Sequence, residues 1–111
     1  MASDGTYFDT DCVLMLHCDG DDASTTFTDN SDSAKTMTAV GNAQIDTAQS
    51  KFGGASGLCD GTGDRVTTPN SDDWDLGTGN YTVDFQVRFA ALTSNRSFID
   101  IGNDYEIIWK S

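Results

Sequence analysis

The stretch Y-T-V-D-F-Q-V-R-F, residues 81–89, carries the strongest structural signal in this 111-residue chain. Its odd-numbered positions are all apolar or aromatic, and its even-numbered positions are all polar. Alternation with a period of two is typical of a β-strand with one buried face and one wet face. The predicted buried face comprises Tyr81, Val83, Phe85, Val87 and Phe89. The stretch therefore predicts an amphipathic strand, and we expect the surrounding fold to be built from β-sheet.

Other short segments predict further strands, separated by turns and polar loops. The run C-V-L-M-L-H-C, residues 12–18, is apolar on both faces, which is typical of a buried strand. Residues 42–54 are compatible with a helix or with an extended hairpin, and the surrounding strand signals favour the hairpin. Weaker strand signals lie at 36–40, 56–60, 65–68, 97–101 and 105–109. Many short strands at this spacing indicate an all-β antiparallel sandwich or barrel.

Composition supports this fold class and excludes some partners. The net charge is −12, and Glu106 is the only glutamate among 18 acidic residues. Aspartate, glycine, asparagine, serine and threonine favour turns, whereas glutamate and lysine favour helix surfaces. The excess of acid argues against a nucleic-acid or anionic-membrane partner. The length predicts one domain over 12–111, preceded by a polar arm over 1–11.

The sequence offers no stretch apolar enough to span a bilayer, and its start lacks the features of a secretory signal. We therefore expect a chain made in the cytoplasm. A location on a virus particle or on an extracellular surface would then be reached by another route, such as assembly into a particle released by lysis.

Several linked motifs carry a family resemblance. They are L-M-L-H-C-D-G at 14–20, F-T-D-N-S at 27–31, K-F-G-G-A-S-G-L-C-D-G-T-G-D-R-V-T-T-P at 51–69 and G-T-G-N-Y-T-V-D-F-Q-V-R-F at 77–89. In this order they resemble the N-terminal part of the laminin-G-like, concanavalin A-like lectin/glucanase jelly-roll domain of phage and bacterial surface proteins. The resemblance implies a two-sheet antiparallel jelly roll. Such domains run well beyond 111 residues, so we expect a fragment, a shortened variant or one piece of an assembly.

The resemblance also implies a function. Domains of this kind usually bind glycans or surface proteins, in many members with a calcium ion, so we expect a non-catalytic binding or adhesion module. The alternative is a structural decoration or assembly subunit of a virus particle that binds only protein chains, through unpaired sheet edges. The family's glucan-hydrolysing members carry Glu-Ile-Asp-x-x-Glu, which this sequence lacks, so we expect no enzymatic activity.

The tripeptide Cys-Asp-Gly occurs twice, at 18–20 and at 59–61, each time after an apolar run. A zinc site needs closely paired ligands, but His17 and Cys18 are adjacent and would point to opposite faces of a strand. Cys18 and Cys59 form the one plausible disulfide pair. An odd number of cysteines and the lack of a signal peptide favour free thiols that act as small buried apolar residues.

The remaining candidate residues are acidic and aromatic. If the two strand ends meet, Asp19, Asp21, Asp60 and Asp64 could supply oxygen ligands for calcium; the simpler interpretation is that they form turns. Sugar rings stack on exposed aromatic side chains, so Trp74 in the polar loop 70–80 and Trp109 in the last strand are the candidate ligand contacts.

Overall fold

The protein is described from a computed structural model that covers residues 12–75, 77–91, 96–101 and 105–110, without the side chains of Tyr105 and Trp109. The predicted arm over 1–11 lies outside the described residues. The described chain is all-β apart from one three-residue 3-10 turn, Asp72–Trp74. Its strands are β1 (Thr38–Val40), β2 (Gln44–Asp46), β3 (Ser56–Leu58), β4 (Arg65–Thr67), β5 (Arg96–Ile101) and β6 (Tyr105–Trp109).

These strands form three antiparallel two-stranded sheets, which confirms that the chain is all-β and antiparallel. Within the described ranges there is no helix with the length and hydropathy of a membrane span. The chain divides into two compact units, Met1–Ser71 and Asp72–Ser111. The prediction of a single sandwich over 12–111 stays a prediction.

The first unit contains two of the sheets. Strand β1 pairs with β4, and β2 pairs with β3 through the turns at 47–54. Residues 42–54 are therefore not helical, but they hold only β2 and the connection that follows it, and the partner strand β3 lies beyond the predicted hairpin. Strands are also present at 56–58 and 65–67, as predicted, but they pair with β2 and β1 rather than with each other. The pairing of β1 with β4 joins strands that are not consecutive in sequence, and the turn Gly61–Gly63 between β3 and β4 gives no sign of it.

Both sheets of this unit contribute to one apolar core. Phe27, Ile45 and Ala55 are buried together. Partly buried side chains from β1, β4 and the flanking segments pack on them, namely Cys18, Met37, Ala39 and Val66. Ala39 and Val66 lie directly opposite each other in the β1–β4 ladder, so this pair turns one face of that sheet toward the core cluster.

The predicted strand over 12–18 is wrong as a continuous strand, and the carboxylate of Asp29 explains why. Leu16 forms a single bridge with Asp29, and the N–H of Asn30 donates to the carbonyl of Met15 at 2.8 Å. The N–H of Met15 instead donates to Asp29 Oδ1 at 3.0 Å. The Asp29 side chain thus acts as the acceptor that a backbone carbonyl would be in a β-ladder. Cys18, with a φ of 52°, then turns the chain away.

The second unit is built on the hairpin of β5 and β6, both of which were predicted. The register shifts between Ser97 and Ile99, so Phe98 stands at an irregularity of the ladder. Its ring lies 5.5 Å, centroid to centroid, from the rings of both Phe85 and Phe89. An extra residue in a ladder commonly redirects a side chain, and here that residue carries the contact to segment 81–89.

The predicted strand over 81–89 is wrong as far as sheet pairing is concerned. These nine residues contain no turn or bend, yet none of them belongs to a strand. The edges of β5 and β6 that face each other are used by the hairpin, and segment 81–89 meets the hairpin through aromatic rings rather than through a ladder. The predicted burial of this face is also wrong for Tyr81, Val83, Phe85 and Val87, which are exposed.

Candidate functional site

The aspartates predicted as calcium ligands divide into one linked pair and two separate residues. The N–H of Asp60 donates to Asp64 Oδ2 at 2.7 Å, so these two carboxylates lie in the same turn. Asn42, from the turn between β1 and β2, joins them: its backbone N–H donates to Asp64 Oδ1 at 2.6 Å, and its Nδ2 donates to Asp60 Oδ2 at 3.2 Å. The cluster thus ties two turns that are far apart in sequence.

This acidic turn is held by its own hydrogen bonds. The N–H of Thr62 donates to Asp60 Oδ1 at 2.8 Å, so each of the four carboxylate oxygens of Asp60 and Asp64 accepts a protein hydrogen bond. Donation by the Asn42 side chain and by the Thr62 amide lowers the pKa of Asp60 below its ordinary value. Both carboxylates are therefore engaged as fixed acceptors in the turn.

Asp19 and Asp21 are exposed, and the carbonyl of Asp21 closes a turn by accepting the N–H of Ser24 at 3.1 Å. Among the described residues, no three histidine, cysteine or acidic side chains are grouped as metal ligands would be. Calcium binding by Asp19, Asp21, Asp60 and Asp64 stays a prediction.

The two Cys-Asp-Gly repeats do approach each other. The Cys18 sulfur lies 3.4 Å from where a β-carbon on Gly57 would stand, and Cys59 is two residues further along. Both thiols are free. Burial raises the pKa of the Cys18 thiol, with a further contribution from Asp19. Cys59 is exposed, so the prediction of a buried apolar residue is wrong at that position. Partial desolvation, followed by the charges of Asp64, Asp60 and Cys18, raises the pKa of its thiol, so the two thiols are near enough to influence each other.

The aromatic candidates for a sugar contact are not brought together by anything the structure describes. Trp74 ends the 3-10 turn Asp72–Trp74 and is half-buried, while the two aspartates before it are exposed. The side chain of Trp109 lies outside the described residues. A role for either tryptophan in glycan recognition stays a prediction.

Segment 81–89 carries four of the exposed large apolar side chains of the described residues; the others are Leu14, Phe52 and Leu58. Tyr81 is 55% exposed, Val83 42%, Phe85 40% and Val87 51%. No described residue after position 71 is buried, whereas the first unit buries Phe27 and Ile45 almost completely. Isolated exposed apolar residues are ordinary, but a contiguous set on one straight segment is characteristic of a contact surface.

The charge of this segment differs from that of the rest of the chain. Between residues 77 and 91 the only charged residues are Asp84 and Arg88, so the stretch is neutral within a chain of net charge −12. Both side chains are exposed. The segment therefore combines apolar side chains and two opposite charges with a backbone that belongs to no sheet.

Comparison with known proteins adds no relative to this description: no family model, no curated protein and no solved structure matches the chain. The resemblance of its motifs to laminin-G-like domains therefore stays a prediction.

Sequence reasoning missed two residues that shape these sites. Asp29, one of many aspartates in a polar loop, is 5% exposed and organises the chain around it. Phe98 was placed in a strand but not recognised as the residue that contacts segment 81–89. The sequence around Asp29 gave no signal, because its partners are backbone amides, which every residue except proline possesses.

Proposed function

We propose that this chain is a non-catalytic binding module that engages other protein chains by strand pairing along segment 81–89. The observation that carries the proposal is the exposure of Tyr81, Val83, Phe85 and Val87 on a straight segment that belongs to no sheet. An unpaired strand offers backbone donors and acceptors to an incoming chain, and its alternating side chains supply an apolar contact face.

The support for pairing with protein is chemical. Sequence alternation places five apolar residues on one face and four polar residues on the other, as a half-buried strand requires. Phe98 already holds Phe85 and Phe89 from within the chain, so part of the segment is anchored while Val83 and Val87 remain exposed. An anchored strand loses less conformational entropy on binding than a free one.

The jelly-roll sandwich implied by the motifs is the architecture we propose for the chain. The packing of Ala39 and Val66 from one sheet against a cluster that includes Ile45 from another supports it. A place on a virus particle or an extracellular surface is proposed with it, from the same motifs.

Selection from a random-peptide display library on the immobilised chain tests this function. We expect enrichment of extended peptides with alternating apolar and polar residues. Consecutive amides of a strand point to opposite edges, so Gln86→Pro and Val87→Pro each remove a donor from a different edge. At least one of them should abolish capture, whereas Val87→Thr, which keeps the amide and nearly the same shape, should retain it.

Two results would contradict the proposal. The first is a library that yields no binders. The second is a set of binders that both proline variants capture as well as the parent chain does. A proline at an exposed site outside the segment, Ser50→Pro, controls for a general loss of folding.

A further inference from the structure

The positions of Asp84 and Arg88 specify a partner for segment 81–89. They are the only charges between residues 77 and 91, they are opposite in sign, and they are equally spaced about Gln86. In an antiparallel pair of identical strands, the residues that face each other have numbers with a constant sum. When Gln86 faces Gln86, Asp84 of each copy faces Arg88 of the other.

We propose that the partner is a second copy of this chain, paired antiparallel along segment 81–89 with Gln86 on the two-fold axis. This inference rests on the proposed function and names the partner of the same surface. A two-fold contact uses the same patch on both copies, so one complementary charge pair is formed twice. Opposite charges that face each other across antiparallel strands are favourable, and like charges are unfavourable.

Other arrangements of the same two segments are disfavoured by the same charges. A parallel in-register pair would bring Asp84 beside Asp84 and Arg88 beside Arg88. Antiparallel pairs centred on residue 84 or on residue 88 would place two like charges face to face. The pair centred on Gln86 is the antiparallel register in which both charges of each copy meet an opposite charge.

The apolar face fits this register as well. It sets Phe85 opposite Val87 and Val83 opposite Phe89, twice each by symmetry. Aromatic residues facing β-branched residues are among the favourable cross-strand pairs. Val83 and Val87, which are 42% and 51% exposed, would then be covered by the aromatic residues of the other copy. The two Gln86 side chains have both donors and acceptors, so they can bond to each other on the polar face.

The overall charge of the chain also favours contact at this surface. Two copies of net charge −12 repel each other, and the repulsion is smallest where each surface is locally neutral. Residues 77–91 form such a stretch. Raising the salt concentration should therefore screen the general repulsion while weakening the two exposed charge pairs only modestly.

Charge-reversed variants test the pairing, with mass measured by light scattering after size exclusion over a series of concentrations. We expect the parent chain to form dimers. In the Asp84→Arg variant positive side chains face each other across the two copies, and in the Arg88→Asp variant negative side chains do. Each single variant should therefore raise the dissociation constant of the dimer by about tenfold or more. An equimolar mixture of the two single variants should form a mixed dimer, and the double variant Asp84→Arg/Arg88→Asp should again form dimers.

Recovery in the mixture guards against misfolding, because a variant that fails to fold cannot be rescued by another. A parent chain that is monomeric throughout, single variants that dimerise like the parent, or a mixture that stays monomeric would each overturn the inference. If the parent is monomeric but library peptides still bind segment 81–89, the second-copy partner is wrong and the proposed function stands. If neither occurs, both are wrong.

Discussion

Replacement of Asp29 by asparagine tests how the first unit is held together. The Asp29 side chain is 5% exposed and accepts three backbone N–H groups: Met15 at 3.0 Å and Ser31 at 2.9 Å on Oδ1, and Lys35 at 2.9 Å on Oδ2. Asparagine has the same shape but only one acceptor oxygen. It can keep the bonds on one side, but its NH2 group would face the N–H on the other.

The expected loss follows from these three bonds. A hydrogen bond to a charged group contributes about 1.5–3 kcal/mol, and a buried donor left without a partner costs a similar amount. Asp29→Asn loses one bond and weakens the others, so we expect about 2 kcal/mol. Asp29→Ala loses all three, so we expect roughly 3–5 kcal/mol, a large part of the ~5–15 kcal/mol that holds a typical domain.

Thermal melting followed by far-ultraviolet circular dichroism measures the effect. For a unit of this size, about 2 kcal/mol corresponds to a fall in Tm of roughly 10 °C. The control is Asp32→Asn, because Asp32 is an exposed aspartate in the same loop. It should change Tm by no more than 2 or 3 °C, since exposed substitutions usually stay within about 0.5 kcal/mol.

The dependence on pH gives a second test of the same residue. Burial alone would raise the pKa of Asp29, but the amides of Lys35, Met15 and Ser31 outweigh it and hold the pKa below its ordinary value. The ionised form is therefore favoured in the folded state. Its stabilisation is complete above the unfolded value of about 3.9 and is lost as the pH falls through the lower folded value. Equal Tm values for Asp29→Asn and Asp32→Asn, or a gap between parent and Asp29→Asn that is unchanged on acidification, would refute the reasoning.

Three further predictions concern the turns and the candidate ligands. In urea unfolding, Gly41→Ala should lower the free energy of unfolding by roughly 2–3 kcal/mol and Gly53→Ala by about 1 kcal/mol. Both glycines have a φ near +70°, but only a β-carbon at position 41 would meet Asp64 Oδ1. Equal losses for the two variants would contradict this prediction. Asp64→Asn should speed alkylation of Cys59 at pH 8, since removing that charge lowers the thiol pKa, and an unchanged rate would count against the placement. If calcium binds the acidic turn, the Tm should be higher with calcium than with chelator, and equal Tm values would contradict the calcium site. If Trp74 binds sugar, Trp74→Ala should abolish the glycan-array signal, and an unchanged signal would contradict that role.

Local patterns predicted the parts of this fold that depend on neighbouring residues. The hairpin β5–β6 joins strands that are adjacent in sequence, so local strand and turn signals were enough to locate it, whereas the β2–β3 hairpin extends beyond the range predicted for it. The pairing of β1 with β4 is non-local, and no local signal distinguishes it from a β3–β4 hairpin. The strand expected at 12–18 was lost to the Asp29 carboxylate, whose partners are backbone amides.

The candidate site was predictable to a similar extent. The motif at 60–64 indicated a turn, but its link to Asn42 depends on the sheets that bring the two turns together. The alternation at 81–89 correctly located an apolar face. It could not predict that the face stays exposed, because periodicity describes a single strand and exposure depends on what packs against it.

Residue-by-residue amide hydrogen exchange is the most direct test of strand pairing along segment 81–89. It should be measured on the chain alone and on the chain saturated with a selected peptide. Because a strand added to one edge bonds every second amide, we predict that alternate amides within 82–88 become protected on binding. Unchanged exchange across 82–88, or protection confined to another part of the chain, would contradict the account.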